Sequence, residues 1–418
     1  MFAKLKKFGL KHCDLPTMIW NIAMFLKVLT LNIDPRNKKG KLNNNKDIKQ
    51  ATTVLYYYLT IIIMCYFYVY LFSMSWFVFW RCSETGDVLA ALIIFSLGVS
   101  SEIGTVKMFF IGKVRRIVTD CLACDRSVEP KSRFSRNLLS CLRDVKKRAI
   151  TFWLVIMGNG VVYILKALLM PGRHMMEDQF IFYGLEPMHE TPNYQIAFLL
   201  SSAGVAFTCY PPANIQAFVI IINGYIEAQM LALTEEMEHL HKDAIDHCNS
   251  MPGNSSDEAE TSETQRNKII NDYIQERLKV ISQNHARNID ILNQVQYVFS
   301  GAIVLEFVLL MSGLIAELLG GLENTYIEVP FALMQVGMDC FTGQRIMDAN
   351  VKFEAAVYSC NWEFFDRSNM KMILIMLQNA QKTMKLSAGG MATLSFQCFM
   401  TVIRSIYSAY TTLRSTMN

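Results

Sequence analysis

The sequence predicts an all-α membrane protein with seven transmembrane helices, its N-terminus in the cytoplasm and its C-terminus outside. Three observations predict it. Apolar residues gather in seven blocks of roughly the 20 residues a helix needs to cross a hydrocarbon core. Lysine and arginine crowd the segments between alternate blocks. The longer of those segments carry helical patterning of their own, so several membrane helices are expected to continue into a cytoplasmic helical anchor bundle. Overall composition is less telling: 52% of the 418 residues are hydrophobic, close to a soluble domain, and the distribution decides.

The seven blocks are Val54–Trp80, Val88–Ile111, Ile150–Met170, Tyr194–Ile222, Val295–Leu322, Ile327–Gln344 and Met391–Leu413. Each must be a helix, because lipid offers no partner to an open backbone N–H or C=O. The sixth is the weakest, with Asp339 inside it, and the seventh carries Arg404 and many hydroxyls. Between the blocks, residues 1–53 form a cytoplasmic N-terminal segment with eleven Lys/Arg, and 112–149 hold eleven more. Residues 223–294 are helical extensions around a Ser/Glu/Asp-rich disordered linker at 248–263, and 345–390 form a helical anchor. Residues 414–418 are a short extracellular tail.

Orientation follows from the cation bias. With the N-terminus inside, the cytoplasmic segments hold 34 of the 40 Lys/Arg, and the outer segments hold only Arg81, Arg173 and Arg414. Lys107, Lys166 and Arg404 fall within blocks. This bias excludes the G-protein-coupled receptor arrangement, which has the opposite orientation. No cleavable signal peptide is visible: the apolar stretch Met18–Leu31 is broken by Asn21 and Lys27. The protein is expected to be multi-pass in the plasma membrane.

Few residues suggest chemistry. A net charge of +4 is too small to imply nucleic acid as a partner. Only Cys82 of the eleven cysteines falls in a predicted outer loop, so no disulfide framework is expected. Cys121 and Cys124 form a lone CxxC without a second pair, and His239, His241 and His247 lie on a charged helix where 239 and 241 do not share a face, so no metal site is expected. The triplet Asn254–Ser255–Ser256 falls on the cytoplasmic side, out of reach of glycosylation. No phosphate loop, dinucleotide fingerprint or hydrolase motif occurs. Neither an enzyme nor a cofactor is indicated. Pro211–Pro212 interrupts the fourth block, where a kink is expected.

The seventh block carries the most telling pattern. On a helix advancing about 100° per residue, Gln397, Thr401, Ser405, Ser408 and Thr416 fall within about 60° of Thr412. Phe396, Phe399, Met400, Ile403, Ile406, Tyr407, Tyr410 and Leu413 occupy the other side. A polar stripe on a membrane helix faces water or another helix: it is either the wall of an aqueous pore or an interhelical seam. Arg404, about 80° off the stripe, needs an acid, and Glu306 in the fifth block is the nearest candidate by depth.

With these features in place the chain resembles the insect odorant receptors. The resemblance rests on the inverted seven-span pattern and on the closing segment Leu386-Ser-Ala-Gly-Gly-Met391, Phe399-Met-Thr-Val-Ile-Arg-Ser-Ile-Tyr-Ser408 and Tyr410-Thr-Thr-Leu413. Asp14-Leu-Pro-Thr-Met-Ile-Trp20 and Leu29-Thr-Leu-Asn-Ile33 are similar to the moth sex-pheromone branch. The family implies a ligand-gated non-selective cation channel, in which four subunits each give their last helix to one pore and an odorant co-receptor is the partner subunit. It places a hydrophobic gate on Thr412 and a second narrow point near Thr416. The family gate is usually Val or Leu, so here the partner subunits would supply the apolar seal. It implies a pocket in the outer halves of the second, third, fourth and sixth spans. Carried over by depth, this gives Phe95, Ser96, Tyr163, Lys166, Phe198, Ser202, Phe331 and Met334, suited to a volatile apolar ligand such as a long-chain alcohol, aldehyde or acetate. Three other readings stand beside it: a gustatory-type channel, a non-channel seven-span receptor, and a transporter, which should show matched repeats and broken helices that this sequence lacks.

Overall fold

The computed structural model describes residues 9–36, 46–251, 259–321, 326–382 and 384–417. The expected glycosylation triplet and the centre of the expected linker lie outside the described residues. Each of the seven apolar blocks lies in or overlaps a helix. Five helical stretches are long and apolar enough to cross a membrane: Val54–Thr85, Val88–Lys113, Arg133–Leu169, Asn193–Asn249 and Glu263–Gly320. The helices holding the sixth and seventh blocks are too polar to be counted on composition.

The chain opens with α1 (Leu15–Val28), capped by Asp14, whose carboxylate accepts from the Thr17 N–H. Its 14 residues are too short to span, and Leu15, Met18, Ile19, Ile22 and Leu26 bury its apolar side. The Lys146 ammonium holds the preceding turn by donating to the carbonyls of Gly9 (2.9 Å) and His12. Next, α2 (Lys46–Tyr66) continues through π-helical turns at Phe67–Ser73 and Phe77–Arg81 to Thr85. Gly86, at φ 73°, ends it, a left-handed conformation that glycine adopts freely.

The second block forms α3 (Val88–Ile103), N-capped by Asp87. The α-helix gives way to 3₁₀ turns after Gly104, and the whole helical stretch Val88–Lys113 covers the expected span to Ile111. A Cβ at Gly104 would lie 2.2 Å from Gln335 Oε1 and 2.4 Å from Pro212, so this close crossing requires glycine. Two 3₁₀ turns, Val106–Phe109 and Ile111–Lys113, lead into α4 (Arg115–Arg126).

Four long helices dominate: α5 (Arg133–Leu169), α6 (Asn193–Asn249), α7 (Ala259–Gly320) and α8 (Glu328–Tyr358). At 57 residues α6 is about 85 Å long, well over twice a bilayer's hydrocarbon thickness. Pro211 and Pro212, where a kink is expected, both lie inside one continuous helix. Beyond the apolar windows the helices are tied by charge. Glu227 on α6 receives Arg148 of α5 (2.7 Å) and Arg345 of α8 (2.6 Å). Glu236 receives Arg133 (3.1 Å) and Arg277. α9 (Arg367–Ala380) packs there too, the Asn350 amide donating to the Ala380 carbonyl at 2.9 Å.

A two-stranded hairpin precedes the last helix. β1 (Ser387–Ala388) pairs with β2 (Ala392–Thr393) across Gly389–Gly390, both at positive φ. The hairpin takes Met391–Thr393 out of the expected seventh helix, and α10 runs Phe396–Met417. At the other end of the bundle, residues 171–192 fold back over the helix ends. Phe180 and Phe182 bury themselves there, Phe180 meeting Phe77 at 5.7 Å between ring centroids.

Candidate functional site

Beneath that returning segment, five helices converge on a small cavity. The helical stretch continuing α2 supplies Tyr70; α3 gives Leu97, Ser100 and Ser101; α5 gives Asn159, Gly160 and Tyr163; α6 gives Val205, Thr208 and Cys209; α8 gives Glu328 and Phe331. Its volume is 40 Å³, room for a few water molecules at most. Two small residues let the walls approach. Gly160 faces Cys209 and Gly204 faces the Tyr70 ring, and a Cβ at either would lie under 3 Å from its neighbour.

The cavity is apolar with a carboxyl-rich margin. The Tyr163 hydroxyl donates to Glu177 Oε1 at 2.8 Å. Burial pushes the Glu177 carboxyl above its ordinary value, against the opposing pull of Tyr163 and Lys166. Ser100 donates to Glu317 at 2.9 Å. Glu328 is 6% exposed, and neither of its carboxyl oxygens has a hydrogen-bond partner.

Of the eight pocket residues expected from the sequence, Tyr163 and Phe331 meet in this cavity. The others lie elsewhere. Phe95 lines a separate 170 Å³ groove with Val78, Phe79 and Leu309. Ser96 is buried and donates to its own helix at Ile93 (2.7 Å). Lys166 sits over the Tyr326 ring at 5.5 Å. Phe198 packs near Tyr194 (6.1 Å) and Ser202 donates to the Phe198 carbonyl (2.7 Å). Met334 is half-buried against the core. The α6 wall of the cavity lies about one to three turns deeper than Phe198 and Ser202. Tyr70, Asn159 and Glu328 were missed; the last two carried a readable signal, as polar groups inside apolar helices.

Further along the bundle is a buried charge cluster. The Lys107 ammonium lies 2.6 Å from Asp339 Oδ2, 2.8 Å from Glu306 Oε2 and 2.7 Å from Gln216 Oε1. Gln216 Nε2 donates to Asp339 Oδ1 at 2.6 Å. All four are buried, and they join the end of α3 to α6, α7 and α8. The expected pairing of Glu306 with Arg404 is therefore wrong: Glu306 belongs to Lys107, and Arg404 is exposed. The Asp339 that weakened the sixth block is the anion that holds Lys107.

The last helix shows its polar stripe outward. Gln397, Thr401, Ser405, Ser408, Thr412 and Thr416 are all exposed on the chain. Thr401, Thr412 and Thr416 donate to carbonyls of their own helix, so their protons need no partner helix. The apolar side divides. Ile406 is buried, Phe399 lies against Gly337 of α8, and Cys398 sits beside Cys340. Phe396, Met400, Tyr407 and Leu413 stay exposed.

A family model described as the 7tm odorant receptor matches residues 105–319 and 325–407. The chain belongs to this odorant receptor family. A search of curated proteins gives no match. Among solved structures the receptor is similar to the insect olfactory receptor OR5 from Machilis hrabei, with a TM-score of 0.72 and 12% identity over 96% of this chain and 98% of that one. The same protein in complex with eugenol gives a TM-score of 0.70, again at 12% identity over 96% and 98%. At that identity the likeness shows the fold. Neither family nor fold is that of an enzyme, and the apolar helices make the receptor a membrane protein.

Proposed function

We propose that the receptor is the ligand-binding subunit of a cation channel in the plasma membrane. It crosses seven times, with α8 and α10 as the sixth and seventh spans, and assembles with odorant co-receptor subunits, by analogy with its family in a tetramer. The cavity at Tyr163, Phe331 and Glu328 takes a volatile, mostly hydrocarbon ligand. The solved relative's complex with eugenol supports a small organic ligand for this chain. The moth pheromone branch is the finer reading, carried by the N-terminal motifs alone.

The observation that carries the channel reading is the outward polar face of α10. Six exposed polar side chains lie along one side of a helix whose other side packs on its own chain at Phe399 and Ile406. In an assembly such a face borders either water or another subunit's helix. Lys107 favours α8 as a true span, because it compensates the charge of Asp339 inside the bundle.

Cysteines placed singly at Ser405, Ser408 and Thr412, with a charged thiol reagent applied to co-expressing cells, test this. Reactivity that alters current at these sites, with none at Ile403 or Ile406, is the expected result. Unreactive polar-face cysteines with lost surface expression would instead mark the stripe as a seam between helices.

A further inference from the structure

We infer that the hydrocarbon tail of the ligand lies in the groove between α3 and the π-helical stretch continuing α2, which the Tyr70 ring separates from the cavity. The inference rests on the cavity being the ligand site, as proposed above. It adds the subsite that takes the ligand's chain.

Space demands a second compartment. The cavity measures 40 Å³, room for a few water molecules and so for one end of a ligand only. Beside it runs a groove of 170 Å³. α3 passes between the two, turning Leu97, Ser100 and Ser101 to the cavity and Phe95, Gly98 and Val99 to the groove. Tyr70 lines both. Its ring is buried and seated on Gly204, where a Cβ would lie 2.8 Å away. Turning that ring aside joins the two spaces. Tyr70 also sits in the π-helical turn Phe67–Ser73, a rare conformation that is frequent at functional sites.

The chemistry of the groove suits a chain of methylenes. Leu71 and Phe79 stand exposed at its mouth, on a helical stretch apolar enough to cross a membrane. The charged group in its wall, Glu102, is already bonded within the protein: the Tyr66 hydroxyl donates to one carboxyl oxygen and Thr105 to the other at 2.9 Å. What remains for a ligand is apolar surface, where each methylene taken from water tightens binding about fourfold. Gly98 keeps the floor open, since a Cβ there would come within 3.3 Å of Met74 Sδ. Phe95, which the sequence assigned to the pocket and which lies outside the cavity, becomes a contact of the tail.

The test uses alcohols, aldehydes and acetates with chains from butyl to tetradecyl, on membranes and whole cells expressing the full-length receptor with the co-receptor. Ser75 is exposed at the groove mouth. In Ser75→Cys, reaction of the introduced thiol with a maleimide is followed by mass spectrometry of its peptide. Saturating long-chain ligand should slow that reaction several-fold, and saturating butyl ligand should not. In current recordings Gly98→Leu, which fills the floor, should weaken long-chain ligands at least about tenfold, the worth of roughly two methylenes, and leave butyl ligands within about threefold. Partition into the bilayer favours long chains in every variant alike, so the comparison between variants isolates the groove. Ser75→Cys decides the matter even if Gly98→Leu does not fold. Protection by no ligand, or by every chain length equally, overturns the inference. So does labelling that is slow without ligand and unchanged by it, the mark of a bilayer lipid in the groove. If Phe331→Ala shifts both chain lengths while Gly98→Leu shifts neither, the cavity stands and the tail subsite falls; if Phe331→Ala shifts neither, both readings fall. Length-dependent protection without any evoked current would leave the inference standing and reject the channel reading.

Discussion

Replacing Lys107 with methionine removes the only cation from a cluster that also holds Glu306 and Asp339. The ammonium makes contacts of 2.6 Å to Asp339, 2.8 Å to Glu306 and 2.7 Å to Gln216. Methionine fills much of the same space and supplies none of these bonds. Two carboxyl groups are then left face to face, each about 3% exposed, with the Gln216 amide still donating to Asp339. Breaking a buried ion pair by removing one partner costs about 3–5 kcal/mol, chiefly through the stranded charge. That corresponds to roughly a hundredfold to several-thousandfold fall in the folded-to-unfolded ratio. The assay is the melting temperature of the detergent-purified receptor together with its surface expression. Lys107→Met should lose both, and Lys107→Met with Glu306→Gln and Asp339→Asn should recover most of the loss, because neutral amides can bond to Gln216 and to each other. A Lys107→Met receptor as stable as the wild type, or a triple variant no better than the single, would refute the assignment of Lys107 as the counter-ion of this cluster.

Three further outcomes are expected. His285 on α7 is buried against Phe353 (4.7 Å between rings), and burial lowers its pKa from 6.5 to about 4. The unfolded chain therefore binds the proton first, so stability falls as pH drops from about 7 to 5, by about 2 kcal/mol; melting curves at the two pH values should show this loss and lose that part of it in His285→Leu. Gly343→Val should lower the melting temperature, because even a Cβ there would lie 2.4 Å from the Leu394 carbonyl oxygen and 2.7 Å from its Cβ, an overpacking cost of about 1–3 kcal/mol. Phe331→Ala should widen the cavity and shift dose–response curves toward bulkier ligands; unchanged selectivity across a size series would remove Phe331 from the ligand wall.

The helices were legible because their signal is local. Apolar runs of spanning length sit within a few positions of the helices they determine. Even the polar stripe of α10 needed only its helical period. What escaped depends on contacts between distant segments. Lys107 and Asp339 are 232 positions apart, so depth alone made Arg404 look like the natural partner of Glu306. The close approach of Pro212 and Gln335 to Gly104 is a tertiary contact that no local propensity encodes. The start of α10 was obscured for another reason. Met391–Thr393 are apolar enough to extend a membrane window, yet Gly389–Gly390 turns them back onto Ser387 and Ala388. The pocket residues were placed by depth, and depth leaves the helix face undetermined: Ser96 and Ser202 sit in the right spans with their hydroxyls turned to their own backbones.

These three features meet on one helix. Along the 31 residues of α8, Glu328 and Phe331 reach the cavity, Gly337 receives the Phe399 ring of α10, Asp339 enters the Lys107 cluster, and Arg345 is held by Glu227. Phe331 and Asp339 are about 12 Å apart along the axis, and no break in the helix separates them. A packed helix responds to a push as a body rather than bending residue by residue. A ligand that displaces Phe331 therefore bears on the Gly337–Phe399 contact as well. A Cβ at Gly337 would lie 3.3 Å from the ring, so the glycine gives Phe399 its room there. The Lys107 cluster ties the same stretch of α8 to α6, to α7 and to the turn after α3.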